Sequence, residues 1–195
     1  MTDYPNNISA KLEIIKASEI TPKEVRWLWY PYIPFGKVTL LQGDPGDGKS
    51  KLMLSLAALL SKGAPLPFAE EDESGEPMTV IYQTTEDDAD DTVVPRFNSA
   101  GGDGDRLIFI KEDEKSLTFG DDRIREAVEK YHAKLLILDP MSSYIGDTEA
   151  LLAAPFTFSA KLVIFLPATL IKKERPFSLE IVRHTGHNGH LLIAA

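Results

Sequence analysis

Four short apolar runs recur along the chain, separated by stretches whose apolar residues repeat at helical spacing. The runs are "KVTLLQ", "MTVIYQTT", "RLIFIK" and "AKLLILDP", and each has the length and the β-branched content of a buried strand. The last run is apolar until Asp139, as expected for a strand that is covered on both faces. The alternation predicts an α/β fold in which a mostly parallel sheet is flanked by helices.

The stretches between these runs predict helices with recognisable ends. "KSKLMLSLAALLSKG" begins at Lys49 and ends at Gly63, a suitable C-cap residue. "ADDTVVPRFNSAGG" predicts a helix that is interrupted or started near Pro95. "DDRIREAVEKYH" predicts a helix capped by Asp121 or Asp122, whose buried face holds Ile124, Val128 and Tyr131.

An aromatic, proline-rich segment, "VRWLWYPYIPFGK", precedes the first strand and is expected to be extended. Its aromatic residues are Trp27, Trp29, Tyr30 and Tyr32. Such residues most often pack a leading segment against the core. Stacking on adenine and contact with a neighbouring subunit are the alternatives.

Composition limits the class of protein. The 195 residues suffice for one domain, and the absence of cysteine excludes disulfides and thiolate metal sites. No apolar run reaches the length of a membrane span and no signal peptide is visible, so a soluble cytoplasmic protein is expected. The net charge of −9 disfavours a surface that attracts nucleic acid everywhere, although a local basic channel is compatible with it.

The stretch "GDPGDGKS" matches the pattern G-x-x-x-x-G-K-[ST] of a phosphate-binding loop. It lies between a predicted strand and a predicted helix, which is the context that such a loop requires. The nucleotide would be bound by Gly43, Asp44, Pro45, Gly46, Asp47, Gly48, Lys49, Ser50 and Lys51. Lys49 would reach the β and γ phosphates of ATP, and the Ser50 hydroxyl would bind Mg²⁺.

Acidic residues at the ends of two predicted strands complete the candidate site. Asp139 ends "LLILD" and would bring a carboxylate close to the metal. Glu86, the first acidic residue after "VIYQTT", is positioned to orient an attacking water as a general base. For Asp87 and Asp88 the favoured interpretation is an acidic N-cap of the following helix.

"GDPGDGKS", "TTEDD" with Arg96 downstream, and "LLILDP" together resemble the RecA-like P-loop ATPases of plasmid and phage replication. These are the RepA-type hexameric helicases, often labelled AAA family ATPases. The resemblance covers about residues 24 to 147 and includes the lead "RWLWYPYIPFGK". It implies Lys49, Glu86 and Asp139 as catalytic residues. It also implies a homo-oligomeric ring, possibly a hexamer, that binds ATP and Mg²⁺ between subunits and works with single-stranded DNA and replication proteins.

The resemblance ends near residue 148, which divides the chain into three parts. Residues 1–35 form a lead segment, residues 36–147 the ATPase core, and residues 148–195 a tail that is expected to be truncated or divergent. Residues 151–195 carry 2 acidic and 5 basic side chains, against 28 and 16 in the rest of the chain. "KLVIFLPATLI" and "SLEIVRH" are candidate core strands. The clustered basic candidates for DNA contact, or for completing the ATP site of a neighbouring subunit, are Lys172, Lys173 and Arg175.

Three functions are compatible with these features. The leading hypothesis is a Mg²⁺-dependent ATPase that acts as a DNA replication helicase or a helicase-like motor subunit. A non-catalytic nucleotide-binding remnant of such an ATPase is the second. A small-molecule kinase built on the same loop is the third, and the absence of an arginine-rich lid segment disfavours it.

Overall fold

A computed structural model describes residues 12–69, 74–119, 121–144, 161–165 and 192–194. Three α-helices occur in these ranges: α1 (Lys49–Lys62), α2 (Val94–Ser99) and α3 (Asp122–Tyr131). The strands in the same ranges are β1 (Trp27–Trp29), β2 (Ile33–Pro34), β3 (Val38–Gln42), β4 (Val80–Thr84), β5 (Leu107–Ile108), β6 (Leu135–Asp139), β7 (Lys161–Phe165) and β8 (Leu192–Ala194).

Six of these described strands form one sheet in the order β5-β4-β6-β7-β3-β8. Strand β4 pairs in parallel with β5 and with β6, whereas β7 is antiparallel to both β6 and β3. Strands β3, β4, β5 and β6 therefore all point in the same direction, and β7 and β8 run against them. The predicted α/β fold class is confirmed. The two antiparallel strands come from the tail, and a strand that reverses direction needs no crossover helix before it.

The helices cover the sheet on both faces, as predicted for buried apolar strands. One face packs against α1 and α2 through residues that include Leu41, Tyr82, Ile137, Leu56 and Phe97. The other face packs against α3 through residues that include Ile81, Leu136, Leu138, Ile124 and Val128. Since neighbouring residues of a strand point to opposite faces, both helical layers are held by the same short apolar runs.

Two of the sequence predictions need correction. Tyr131 was expected on the buried face of α3, but it is 46% exposed, because it is the last residue of the helix and His132 turns away with a positive φ of 52°. "RLIFIK" yields only the two-residue strand β5, because beyond Ile108 the side-chain amide of Gln83 replaces the backbone of β4 as the partner of Ile110.

The aromatic lead segment forms a small antiparallel pair, β1 with β2, that packs against the core. Trp29 is buried, and its indole N–H donates to the carbonyl of Pro67 at 2.8 Å. Tyr30 is 70% exposed at the rim of an aromatic cavity of about 550 Å³ between this pair and the loop after α1. The predicted packing of the lead segment against the core is therefore confirmed for Trp29, whereas most of the Tyr30 side chain is exposed to solvent.

The C-terminus of α1 depends on a glycine. Gly63 has a φ of +66°, and a Cβ built there would overlap the carbonyl oxygen of Gly75 and lie 3.0 Å from the nitrogen of Pro77. We expect Gly63→Ala to lower the melting temperature by at least about 2 °C, since the left-handed conformation alone costs about 1–2 kcal/mol. Gly104→Ala, at a glycine with open space and no positive φ, is the control. Equal melting temperatures for the two variants would show that the end of α1 does not depend on a glycine at this position.

The N-terminus of α3 is held by a charged pair that makes stability depend on pH. The Asp121 side chain accepts the N–H of Arg123, and the guanidinium binds both carboxylate oxygens at 3.0 Å. The Arg123 guanidinium, and then the Arg123 backbone N–H, lower the pKa of Asp121 from its ordinary 3.8 to about 2. A lowered folded-state pKa adds stability above pH 3.8, and that stability is lost as the pH falls through about 2.

We therefore expect Arg123→Gln to lower the melting temperature at pH 7 and to have less effect near pH 2, where wild-type Asp121 also begins to take up its proton. The control is Arg125→Gln, because Arg125 pairs with the exposed Asp122 on the same helix. Thermal unfolding measured across this pH range is the test. A difference between wild type and Arg123→Gln that stays constant from pH 7 to pH 2 would be the contrary result.

Several predictions about the tail fall outside the described residues. "KLVIFLPATLI" contains strand β7, as predicted. "SLEIVRH" and the basic residues Lys172, Lys173 and Arg175 lie in ranges that the structure does not describe. Within the described ranges, no helix has the length and apolar character needed to span a membrane.

Candidate functional site

The predicted site residues follow strands that end at the same edge of the sheet. Thr84, the last residue of β4, is paired with Asp139, the last residue of β6. Strand β7 lies between β3 and β6, and Leu162 of β7 is paired with a residue of each. Leu41 of β3 and Asp139 of β6 each follow the residue that is paired with Leu162, so they lie at the same level of the sheet. Because β3 and β6 are two strand spacings apart, the loop after Gln42 begins about 10 Å from the backbone of Asp139.

The loop after β3 is a tight turn that opens toward solvent. Gly46 and Gly48 have φ values of +93° and +80°, which side-chain-bearing residues adopt only with strain. The Asp47 carboxylate accepts the backbone N–H of Asp44 at 2.7 Å, and the Asp47 N–H donates to the Asp44 carbonyl at 3.2 Å. These bonds fix the curvature of the loop. Pro45 lies between their ends and is exposed.

Helix α1 begins directly after this loop, with Gly48 as its N-cap. The first intrahelical bond runs from the N–H of Leu52 to the carbonyl of Gly48. The N–H groups of Lys49, Ser50 and Lys51 therefore precede the helical ladder and carry the positive end of the helix dipole. Backbone groups in this arrangement form a ready binding site for an anion such as phosphate.

The side chain of Lys49 folds back over the loop. Lys49 is only 5% exposed, and its Nζ donates to the carbonyl of Gly43 at 3.0 Å and to that of Asp44 at 2.7 Å. A buried ammonium group bound to two neutral carbonyls has no negative partner among these contacts. It is therefore suited to exchange them for an anionic ligand.

Asp139 is buried at the end of β6, where it is 1% exposed. The hydroxyl of Tyr82, a fully buried residue of β4, donates to Oδ2 of Asp139 at 2.7 Å. Burial raises the pKa of Tyr82 far above its ordinary value, and the Asp139 carboxylate raises it further. The Tyr82 phenol therefore keeps its proton at neutral pH and can donate this hydrogen bond. This role of Tyr82 cannot be predicted from the sequence, in which Tyr82 is one residue of an apolar strand.

Glu86 is exposed just beyond the end of β4. The hydroxyl of Thr84 accepts the backbone N–H groups of both Glu86 and Asp87 at 3.2 Å, which turns the chain sharply at the sheet edge. The N–H of Thr85 donates to the carbonyl of Asp139 at 3.1 Å, and the Thr85 hydroxyl lies 2.8 Å from that of Ser143. The loops after β4 and β6 are thus joined next to Glu86.

The acidic N-cap predicted at Asp87 and Asp88 is confirmed in position for Asp88 and is wrong for Asp87. Asp87 instead forms an ion pair with Arg96 at 3.3 Å. Asp88 does precede the π-helical turn Ala89–Val93, but its side chain makes no capping hydrogen bond. Arg96 lies nine residues later on α2, and its guanidinium binds the Asp87 carboxylate in place of the backbone N–H groups that a cap would bind.

The aromatic lead segment and the candidate phosphate loop lie at opposite ends of helix α1. The aromatic cavity is bounded by Leu66 and Pro67, which follow the C-terminus of α1, whereas the loop precedes its N-terminus. A helix of 14 residues is about 21 Å long. These aromatic residues are therefore too far away to stack on a base whose phosphates lie at Lys49.

The glycine loop between β3 and α1, together with the carboxylates at the ends of neighbouring strands, defines an α/β protein of the P-loop nucleotide-binding class. Comparison with family models gives the family. Residues 5–152 match the model described as an AAA domain, and the chain belongs to this family of P-loop ATPases. No curated protein and no solved structure matches the chain.

Proposed function

We propose that this protein is a Mg²⁺-dependent ATPase that acts as a helicase-like motor subunit in DNA replication. The observation that carries the ATPase proposal is the meeting of three features at one sheet edge. These are the loop that holds Lys49, the buried carboxylate of Asp139, and the exposed Glu86. Glu86 lies two residues after the β4 residue that is paired with Asp139. Membership of the AAA domain family supports nucleotide binding and hydrolysis in general.

The loop from Gly43 to Lys51 is proposed to bind the phosphates of ATP. The helix N–H groups and the loop backbone would hold the phosphate oxygens. Lys49 would release the carbonyls of Gly43 and Asp44 and bind the β and γ phosphates instead. This exchange needs only a rotation of the lysine side chain, since both carbonyls belong to the loop that would surround the phosphates.

Asp139 and Ser50 are proposed to hold Mg²⁺. A carboxylate and a hydroxyl are oxygen donors that suit this ion, and the two residues belong to the strand end and the helix start that meet at the site. Bound Mg²⁺ supplies neutralisation of charge on the phosphate oxygens. Ser50 is partly buried at the second position of α1, so the loop that holds Lys49 also fixes the backbone of Ser50.

Glu86 is proposed to orient the attacking water and to accept its proton. The turn at Thr84 presents Glu86 to solvent at the sheet edge, so a water molecule has free access to its carboxylate. The hydroxyl pair of Thr85 and Ser143 limits movement of this turn relative to the end of β6. Catalysis would then depend on the positions of Glu86 and of the phosphates more than on covalent chemistry by the protein.

The DNA-directed role is proposed from the resemblance to RepA-type replicative helicases. A homo-oligomeric ring, with nucleotide between subunits, would couple hydrolysis to movement along single-stranded DNA. The negative charge of residues 1–150 confines any DNA contact to a local basic surface.

The test is ATP hydrolysis by the purified chain with and without single-stranded DNA, followed by strand separation on a forked duplex. We expect single-stranded DNA to stimulate hydrolysis and the fork to be unwound only when ATP and Mg²⁺ are present. Hydrolysis that is insensitive to DNA would reject the motor role and keep the ATPase. Phosphate transfer to an added nucleoside would favour a kinase instead.

A further inference from the structure

Tyr82 lies in the middle of β4, with its ring in the core and its hydroxyl at the candidate metal site. Its strand partner in β6 is Ile137, two residues before Asp139. Because residues i and i+2 of a strand share a face, Asp139 is the diagonal neighbour of Tyr82, and a tyrosine is long enough to reach it. The hydrogen bond from the Tyr82 hydroxyl to Oδ2 of Asp139 is 2.7 Å long.

The ring of Tyr82 is held firmly enough to position the group that it touches. It is fully buried in the layer beneath α1 and α2, and it packs edge-to-face on Phe109 with ring centroids 6.4 Å apart. A ring in a close-packed core keeps one rotamer. Its hydroxyl therefore lies at a defined point, and the Asp139 carboxylate that accepts from it is restricted in rotation.

We propose that Tyr82 is a positioning residue for metal binding, which fixes the Asp139 carboxylate in the orientation that Mg²⁺–ATP requires. This inference rests on the proposed role of Asp139 as a magnesium ligand. Groups that hydrogen-bond to a metal-binding side chain orient it, and their loss typically weakens metal affinity or activity about 10- to 100-fold. Tyr82 acts only through Asp139 and contacts neither the nucleotide nor the reacting atoms.

The experiment measures binding of a fluorescent ATP analogue in EDTA and during titration with MgCl₂, so that no turnover is needed. The test variant is Tyr82→Phe, which keeps the ring and removes only the hydroxyl. We expect its affinity for the analogue in EDTA to equal that of the wild type. The MgCl₂ concentration for half-maximal effect should rise about 10-fold or more.

The matched control is Tyr144→Phe. Tyr144 is also buried, at 1% exposure, but its hydroxyl has no hydrogen-bond partner within the described part of the chain. This control should leave the Mg²⁺ dependence unchanged. Thermal unfolding of both variants separates loss of fold from loss of positioning. A Tyr82→Phe variant that is less stable but has the wild-type Mg²⁺ dependence would make Tyr82 merely structural and overturn the proposal.

Two further variants separate this proposal from the proposed function. If Asp139→Asn leaves the Mg²⁺ dependence unchanged, Asp139 is not the metal ligand and both proposals fail. If Asp139→Asn changes it and Tyr82→Phe does not, only the role of Tyr82 fails. Adding Tyr82→Phe to Asp139→Asn should cause no further change, because the carboxylate that Tyr82 orients is gone. This double variant also lacks the buried charge that Tyr82→Phe alone leaves without its hydrogen bond, so its thermal unfolding shows whether that charge causes any instability of Tyr82→Phe.

Discussion

Replacing Lys49 with alanine should lower the affinity for ATP by at least about 100-fold, because two or more hydrogen bonds from an ammonium group to phosphate would be lost. Hydrolysis should become undetectable. The fold should persist, since the carbonyls of Gly43 and Asp44, to which Lys49 is bonded, lie in a loop that is open to water. Binding of a fluorescent ATP analogue and thermal unfolding measure these two effects separately.

Lys62→Ala is the matched control for this prediction. Lys62 is an exposed lysine at the other end of the same helix, so its loss changes the net charge equally without touching the loop. Its ATP affinity should equal that of the wild type. If Lys49→Ala bound ATP as tightly as Lys62→Ala, the phosphates would have to be held elsewhere on the protein.

Replacing Glu86 with glutamine should reduce the turnover number about 10²- to 10⁴-fold while ATP affinity stays the same. The amide has nearly the shape of the carboxylate, and the backbone N–H of Glu86 would still donate to the Thr84 hydroxyl. Only the ability to accept a proton from water is removed. Single-turnover hydrolysis and equilibrium binding with the same preparation distinguish the loss of chemistry from the loss of binding.

The neighbouring acidic residues provide the control for Glu86. Asp88→Asn removes a carboxylate two residues away. Within the described part of the chain, the hydrogen bonds to Asp88 are those that its backbone carbonyl accepts from Thr92 and Val93. Its turnover number should be close to that of the wild type. Equal losses in the two variants would indicate a general effect of negative charge near the site, and no specific base at Glu86.

The features that the sequence predicted are local ones. The loop is predictable because its glycines and Lys49 occur together between an apolar strand and an amphipathic helix. The predicted start of α1 at Lys49 and its cap at Gly63 agree with the structure. Asp139 is predictable because an apolar run ends in a single carboxylate, and in the structure it is the last residue of β6.

The features that the sequence did not predict depend on contacts between distant residues. The bond between Tyr82 and Asp139 joins residues 57 positions apart and requires the register of β4 against β6. The ion pair that removed Asp87 from its predicted capping role likewise requires the next helix to bring Arg96 back. Apolar periodicity reports which face of an element is buried and carries no information about these pairings.

The proposed function requires the loop at Lys49 to bind ATP for Mg²⁺-dependent hydrolysis. Its most direct test is the release of phosphate from ATP by the purified wild-type chain, measured with MgCl₂ and with EDTA, beside Lys49→Ala. We expect release that requires Mg²⁺ and is absent in the variant. Equal release by Lys49→Ala, or binding of ATP by the wild type without any release, would contradict it.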